Sequence, residues 1–253
     1  MNFEIPQLPP RSQKPRTTGL TMVLDPGLSL REAEDLMSVG AAYIDYVKLG
    51  WTTAAFAPHL REKIATYRAA GVEVYFGGTL FEVYAIRNAL DQYRKVLNEY
   101  GIRHIEISDG SIDMTDAQKA EYVRQFKDDF HVITEVGSKD ANKVFAPYIW
   151  VQKIKSDLDA GARMVITEAR ESGSAGVFQT SGEVRTDLID EILHAIPKEK
   201  LLFEAPRKDQ QVWFLKKLGP DVNLGNISPR ELIGLETLRR GLRGDTFHTF
   251  LPK

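Results

Sequence analysis

The segment HVITEV, residues 131–136, returns almost unchanged as MVITEA, residues 164–169. Each is a short β-branched run closing on a glutamate and passing into a glycine-bearing polar stretch, GSKD (137–140) and RESG (170–173). Continuous apolar runs of this length mark strands buried on both faces, as in parallel sheets. Working outward, the same kind of run recurs at Leu20–Leu24, Ile44–Leu49, Val72–Phe76, Arg103–Ile107, Leu201–Glu204 and Val222–Leu224, eight in all. Between them lie amphipathic stretches that predict helices over Ser29–Val39, Thr53–Ala70, Phe81–Tyr100, Thr115–Phe126, Pro147–Ala160, Thr186–Ala195, Asp209–Leu218 and Pro229–Arg240. Gly71 and Gly101 follow two of these stretches, and Ser228-Pro229 opens the last, as helix ends and starts should. Eight strand–helix units over 253 residues predict one α/β domain, a (β/α)8 TIM barrel spanning 1–253 with an extended N-terminal arm over 1–18. A doubly wound sheet is the alternative, but no GxGxxG follows the first strand and no Walker-type motif occurs, which disfavours nucleotide chemistry.

Composition narrows the chemistry. The chain has no cysteine, 43% hydrophobic residues and a formal charge of −2 from 33 basic and 35 acidic side chains. A thiolate nucleophile and a Cys-bound zinc or iron–sulfur centre are excluded. The charge balance argues against a nucleic-acid partner while leaving room for a local anion pocket. The start of the chain, with prolines at 6, 9, 10 and 15, reads as an arm lying on a surface, without an apolar run for a signal peptide or membrane span. A soluble, cytoplasmic protein with no membrane partner is the expectation.

Barrel active sites form at the C-terminal ends of the strands. Four successive strands end there on a glutamate: Glu106, Glu135, Glu168 and Glu204. Asp25, Lys48, Asp109, Lys139, Arg170, Asn223 and Asn226 accompany them on other strand ends or the loops that follow. Carboxylates beside apolar runs are costly to bury unless paired or bound to a cation. One reading pairs them with Lys48, Lys139 and Arg170; the other makes them a site for an oxygen-ligated Mg²⁺ or Mn²⁺. So much negative charge on one rim favours the second. Lys14, Arg16, Lys48, Lys139, Arg170 and Arg207 are expected on the same face, where a metal-bound, multiply anionic substrate would need them. The five histidines are scattered, and no serine sits in a GxSxG elbow, so a hydrolase triad is disfavoured. Trp51, Trp150 and Trp213 read as core. The glycine- and serine-rich Ser172–Glu183 segment reads as a mobile loop and a candidate lid. The basic LRRGLRGDTFH (238–248) reads as docking on a partner chain or closing the barrel bottom.

The segments KPRTTGLTMVLDPG (14–27), DYVKLGWTT (45–53), FGGTLFE (76–82), HIEISDG (104–110), EVGSKD (135–140), ITEARESG (166–173), FEAP (203–206), VNLGNI (222–227) and LETLRRGLRGDT (235–246) resemble the phosphosulfolactate synthase family, in order and along nearly the whole chain. One departure is Thr52, where the resemblance leads us to expect glycine. The resemblance implies a (β/α)8 barrel that adds sulfite to phosphoenolpyruvate with Mg²⁺, giving (2R)-phospho-3-sulfolactate for coenzyme M synthesis or sulfolactate formation, and a homo-oligomer, a trimer. It points to Lys139 as the acid that protonates C2, with Lys48 the other candidate. On this reading Glu106, Glu135 and Glu168 hold the metal, directly or through water. Lys48, Arg16 and Arg170 hold the phosphate, carboxylate and sulfite charges, and Asn223, Gly225 and Asn226 bind phosphate after strand eight. Two alternatives stand: another enolate-type lyase or mutase acting on a phosphorylated carboxylate, and a non-catalytic stress-response barrel like the plant heat-stress-associated proteins, which resemble the same family.

Overall fold

The computed structural model describes residues 2–137, 145–170 and 172–251. In chain order it contains β1 (Thr21–Asp25), α1 (Leu30–Gly40), β2 (Tyr46–Leu49), α2 (Leu60–Ala69), β3 (Glu73–Phe76), α3 (Gly78–Ala85), α4 (Leu90–Glu99), β4 (His104–Ile107) and α5 (Asp116–Phe126). There follow β5 (His131–Val136), α6 (Pro147–Ala160), β6 (Met164–Thr167), α7 (Thr186–Ala195), β7 (Leu201–Glu204), α8 (Lys208–Leu218), β8 (Leu224–Ile227) and α9 (Leu232–Arg239). All strand pairs are parallel and run β3-β2-β1-β8-β7-β6-β5-β4, which is the (β/α)8 barrel read from the sequence. Helices opened by a strong cap start where expected: Ser29 and Thr115 each form a capping box with the residue three positions on, satisfying free N–H groups at the helix start.

Three predicted boundaries move for physical reasons. The helix expected over 53–70 is a 3-10 turn at Thr53–Ala55 followed by α2, because Pro58 lacks an N–H and restrains the residue before it. The helix expected over 81–100 starts earlier, at Gly78, and splits in two at Asn88, whose φ of 52° ends α3's path. Strand β8 lies at 224–227 rather than 222–224. Its Gly-Asn pair reads as a turn in isolation but is buried between β1 and β7, where β1 takes up a register shift.

The ladder is open between β3 and β4, and side chains close that seam. Near the mouth, the Gly78 N–H donates to Glu106 Oε1 at 2.8 Å. On the flank, Glu82 Oε1 accepts from Ser108 Oγ and the Gly110 N–H. Gly78 has no alternative here, since a Cβ would lie 2.3 Å from Ser108 Oγ. At the opposite end, His104 Nδ1 lies 3.4 Å from Glu73 Oε2, and its ring meets those of His131 and Tyr46 edge-on. Burial, then the neighbouring His131, pushes the His104 pKa down from 6.5 to about 4. A folded pKa below the unfolded one means His104 stabilises the barrel fully above pH 6.5 and less as the pH falls toward 4. The loss should reach about 3 kcal/mol at most. Urea unfolding at pH 7 and pH 4.5 checks it: His104→Gln should show the smaller acid loss of the two proteins, and equal losses would contradict the assignment.

The bottom of the barrel is plugged by Arg239 from α9, fully buried and donating to the carbonyls of Pro220, Val222 and Leu20. The basic C-terminal segment thus contributes to barrel closure. The arm packs beside it, with Arg11 paired to Glu236 and Asp221. The loop after β6 is tied down rather than lid-like. Ala175, Val177 and Phe178 are buried, and Gln210 Nε2 donates to the carbonyls of Gly173 and Gly182. Among the described residues, no helix is long and apolar enough to cross a membrane.

Candidate active site

At the C-terminal ends of the strands lies a cavity of about 360 Å³, lined by Leu24, Lys48, Gly50, Trp51, Gly77, Gly78, Thr79, Glu106, Ser111, Glu135, Glu168, Arg170, Glu204 and Asn226. Glu106 and Glu135 pair with Ile133 and Ile166, each two residues short of the next glutamate, and Glu168 lies level with Glu204, yet all four side chains reach the one cavity. All four are buried. Lys48 reaches up from β2 into their midst, its Nζ 2.9 Å from Glu204 Oε1, 3.4 Å from Glu106 Oε2 and 3.9 Å from Glu135 Oε2. The second oxygen of Glu204 accepts the Ala169 N–H at 3.0 Å, while Glu168 Oε1 accepts the Arg170 N–H at 2.5 Å. With the Gly78 N–H on Glu106, backbone amides thus hold three of the four carboxylates in place.

Burial raises the pKa of Glu106 to about 7 against the pull of Lys48, and Glu135 adds to the rise. Burial likewise raises Glu204. For Lys48, burial disfavours the ammonium, but Glu106 and Glu204 outweigh it and hold its pKa well above the usual lysine range. The described lining therefore sets four carboxylates against two cations, Lys48 and Arg170. Glu135, Glu168 and Glu204 each offer an oxygen within 4.8 Å of the others. Asn226 Oδ1 is buried without a hydrogen-bond donor among the described residues, and Glu106 Oε2 faces the Lys48 ammonium at 3.4 Å without a hydrogen bond. An all-oxygen, over-acidic pocket of this kind fits a hard divalent cation.

The structure sorts the expected site residues. Lys48, Glu106, Glu135, Glu168, Arg170 and Asn226 share the cavity. Of the three glutamates expected to hold a metal, Glu135 and Glu168 form the tight oxygen trio with Glu204, and Glu106 stands beside it with one oxygen on the Gly78 amide and the other toward Lys48. Arg16 is corrected: its guanidinium pairs with Asp45 at 3.0 Å before β2, at the far end of the barrel. Lys14 binds the carbonyls of Ala41 and Ile44 beside it. Asn223 is corrected too. It precedes β8, accepting from the Leu20 N–H and donating to the Leu201 carbonyl. Gly225 lies inside β8, where a Cβ would meet Leu202 and Met22, so it faces the barrel interior below the cavity. Arg207 is drawn off by Asp209. Asp25 is structural, accepting from two loop amides, Tyr67 and Lys63. Lys139 lies outside the described residues. Thr79 is not among the expected site residues although it lies within the FGGTLFE segment, Ser111 falls just past HIEISDG, and Trp51 lines the cavity at 42% exposure instead of packing in the core.

The family model for (2R)-phospho-3-sulfolactate synthase matches residues 9–245. Phosphosulfolactate synthase of Bacillus subtilis is 43% identical over 244 residues, covering 95% of this chain and 97% of that protein. Phosphosulfolactate synthase of Methanothermobacter thermautotrophicus is 42% identical, covering 94% and 95%. The heat-stress-associated protein 32 of Arabidopsis thaliana is more distant, at 23% over 90% of this chain and 88% of its own. Among solved structures, 3-hexulose-6-phosphate synthase from Salmonella typhimurium shares the fold, with a TM-score of 0.58 at 14% identity over 88% of this chain and 100% of that one. The chain therefore belongs to the (2R)-phospho-3-sulfolactate synthase family of lyase-type enzymes.

Proposed function

We propose that this chain adds sulfite to C3 of phosphoenolpyruvate to give (2R)-phospho-3-sulfolactate, with Mg²⁺ as cofactor. The observation that carries this is the convergence of Glu106, Glu135, Glu168 and Glu204 around Lys48 in one mouth cavity, in a chain of this family. In the reaction the sulfur lone pair forms the C3–S bond. The C2=C3 electron pair moves toward the substrate carboxylate, giving an aci-carboxylate, and a proton is then delivered to C2. A divalent cation bound by the Glu135, Glu168 and Glu204 trio would stabilise the charge developing on that carboxylate.

The side chains divide the remaining work. Lys48 stands among the glutamates as a fixed positive charge beside the substrate carboxylate. The acid role falls to Lys139, on the strength of the family resemblance. Arg170 and Asn226 face the cavity and suit the anionic groups of the substrate.

Phosphorus NMR of purified protein with phosphoenolpyruvate, sulfite and Mg²⁺ tests the reading. Formation of phosphosulfolactate, lost with EDTA and restored by Mg²⁺, is expected. Turnover that survives chelation would remove the metal from the mechanism. No product under any divalent metal would return the choice to another enolate reaction or to a non-catalytic role; the intact carboxylate–lysine mouth argues against the latter.

A further inference from the structure

Among the described residues, six non-glycine residues adopt left-handed backbone, and three of them, Trp51 (φ 51°), Arg170 (φ 55°) and Asn226 (φ 53°), line the one mouth cavity. They sit at or just beyond the C-terminal ends of β2, β6 and β8. Asparagine tolerates this conformation, but a bulky side chain does so only when the surroundings impose it. Trp51 is the clearest case. The Gly50 N–H donates to the Asp25 carbonyl at 2.9 Å, and Thr53 closes a turn on the Gly50 carbonyl through both its N–H and its hydroxyl. These bonds fix the backbone without using the indole. The ring is 42% exposed and stands apart from the hydrophobic core. Thr52, where the resemblance leads one to expect glycine, has a φ of −116°, so the strain falls on the tryptophan itself. A glycine at 51 would fit the backbone freely, and a large ring held there against its conformational preference calls for a role.

We propose that Trp51 is a positioning residue for the reaction. Its indole walls the mouth and, with Arg170 and Asn226, forms a strained collar that orients the bound phosphorylated carboxylate and keeps water from it. The choice of phosphoenolpyruvate as ligand rests on the function proposed above, whereas the collar itself rests on backbone and cavity geometry. Strain in this collar is the conformational cost of presenting three unlike groups, an aromatic face, a cation and a carboxamide, to one small ligand from three separate strands.

Trp51→Gly, Trp51→Ala and Trp51→Phe separate this from a purely structural turn. Trp51→Gly should raise the KM for phosphoenolpyruvate about tenfold or more without lowering the melting temperature, because the left-handed strain leaves with the Cβ. Trp51→Ala should lose the same affinity yet melt below Trp51→Gly, since its Cβ keeps the strain. Trp51→Phe should stay within about threefold of the parent in KM. In a Trp150→Phe, Trp213→Phe background, which leaves Trp51 as the one tryptophan, titration with phosphoenolpyruvate and Mg²⁺ should change the emission; Trp150 is replaced because it lies beside Glu168 and Trp213 because it is half-buried. Parent-like KM in Trp51→Gly, or an emission that does not change when Trp51 is the one tryptophan left, would overturn the proposal. A parent that makes no phosphosulfolactate but still shows the Trp51-dependent emission change would sink the proposed reaction and leave the collar standing.

Discussion

Lys48→Met is expected to abolish sulfite addition and, in divalent-free buffer, to lower the melting temperature by about 10 °C. Methionine matches the length of lysine closely, so the effect is one of charge. With the ammonium gone, Glu204 Oε1, Glu106 Oε2 and Glu135 Oε2 lose the cation that stands 2.9, 3.4 and 3.9 Å away. Removing one side of a buried ion pair costs about 3–5 kcal/mol, and here one cation serves three carboxylates. The turnover loss should be about a thousandfold or more, as for a preorganised group facing developing charge. The pH dependence gives the sign. Glu106 already has a folded pKa near 7, above its unfolded value of 4.5, and losing the cation raises it further. A raised carboxylate pKa stabilises the folded state at low pH and loses that effect as the pH rises through it. The deficit of Lys48→Met relative to the parent should therefore shrink between pH 8 and pH 5, and Mg²⁺ should narrow it as well. A variant that melts with the parent at pH 8 and still turns over would remove Lys48 from the centre of the site.

Gly176→Ala is the second large effect, and it acts through the backbone. Gly176 has a φ of 64°, and a Cβ placed on it would lie 1.8 Å from the Glu168 carbonyl oxygen and 2.6 Å from its carbon. Neither atom can rotate away, because the Val177 N–H is bonded to that same oxygen at 3.0 Å. The loop must lift, which draws Val177 and Phe178 out of the core and moves the strand end that carries Glu168 and Arg170. Loss of two buried side chains and an imposed left-handed alanine together should cost about 3–5 kcal/mol, at the upper end of single substitutions. Thermal denaturation and turnover should both fall, and kcat should drop beyond what the unfolded fraction explains. Unchanged melting would mean that the loop has room that its geometry denies it.

The barrel and the glutamate ring were legible because each rests on a local pattern. A strand buried on both faces must be apolar until it reaches the mouth, so Glu106, Glu135, Glu168 and Glu204 stand out at its end. The cations were harder. A basic residue near a strand reads the same at either end of the barrel, and only tertiary contacts show that Arg16 belongs to Asp45 at the bottom while Arg170 faces the cavity. Asn223 and Gly225 were misplaced with the β8 boundary, since turn-forming residues inside a buried strand carry no local sign of burial. Glu204 joins the oxygen trio by its tertiary placement beside Glu135 and Glu168, which spacing along the chain does not encode. The collar at Trp51 depends on a backbone angle and was invisible to residue type.

The open seam between β3 and β4 places two strand edges face to face, spanned by Glu106 near the mouth, Glu82 on the flank and the His104–Glu73 pair at the other end. Glu106 is thus both a clasp of the barrel and a wall of its cavity. Any ligand that draws this carboxylate inward tugs on the Gly78 amide, and so on the first turn of α3. Occupancy of the cavity should then register as slowed amide hydrogen exchange at Gly78 and along the facing edges of β3 and β4. In mechanical terms, the barrel is a split ring whose catch lies inside its own binding pocket.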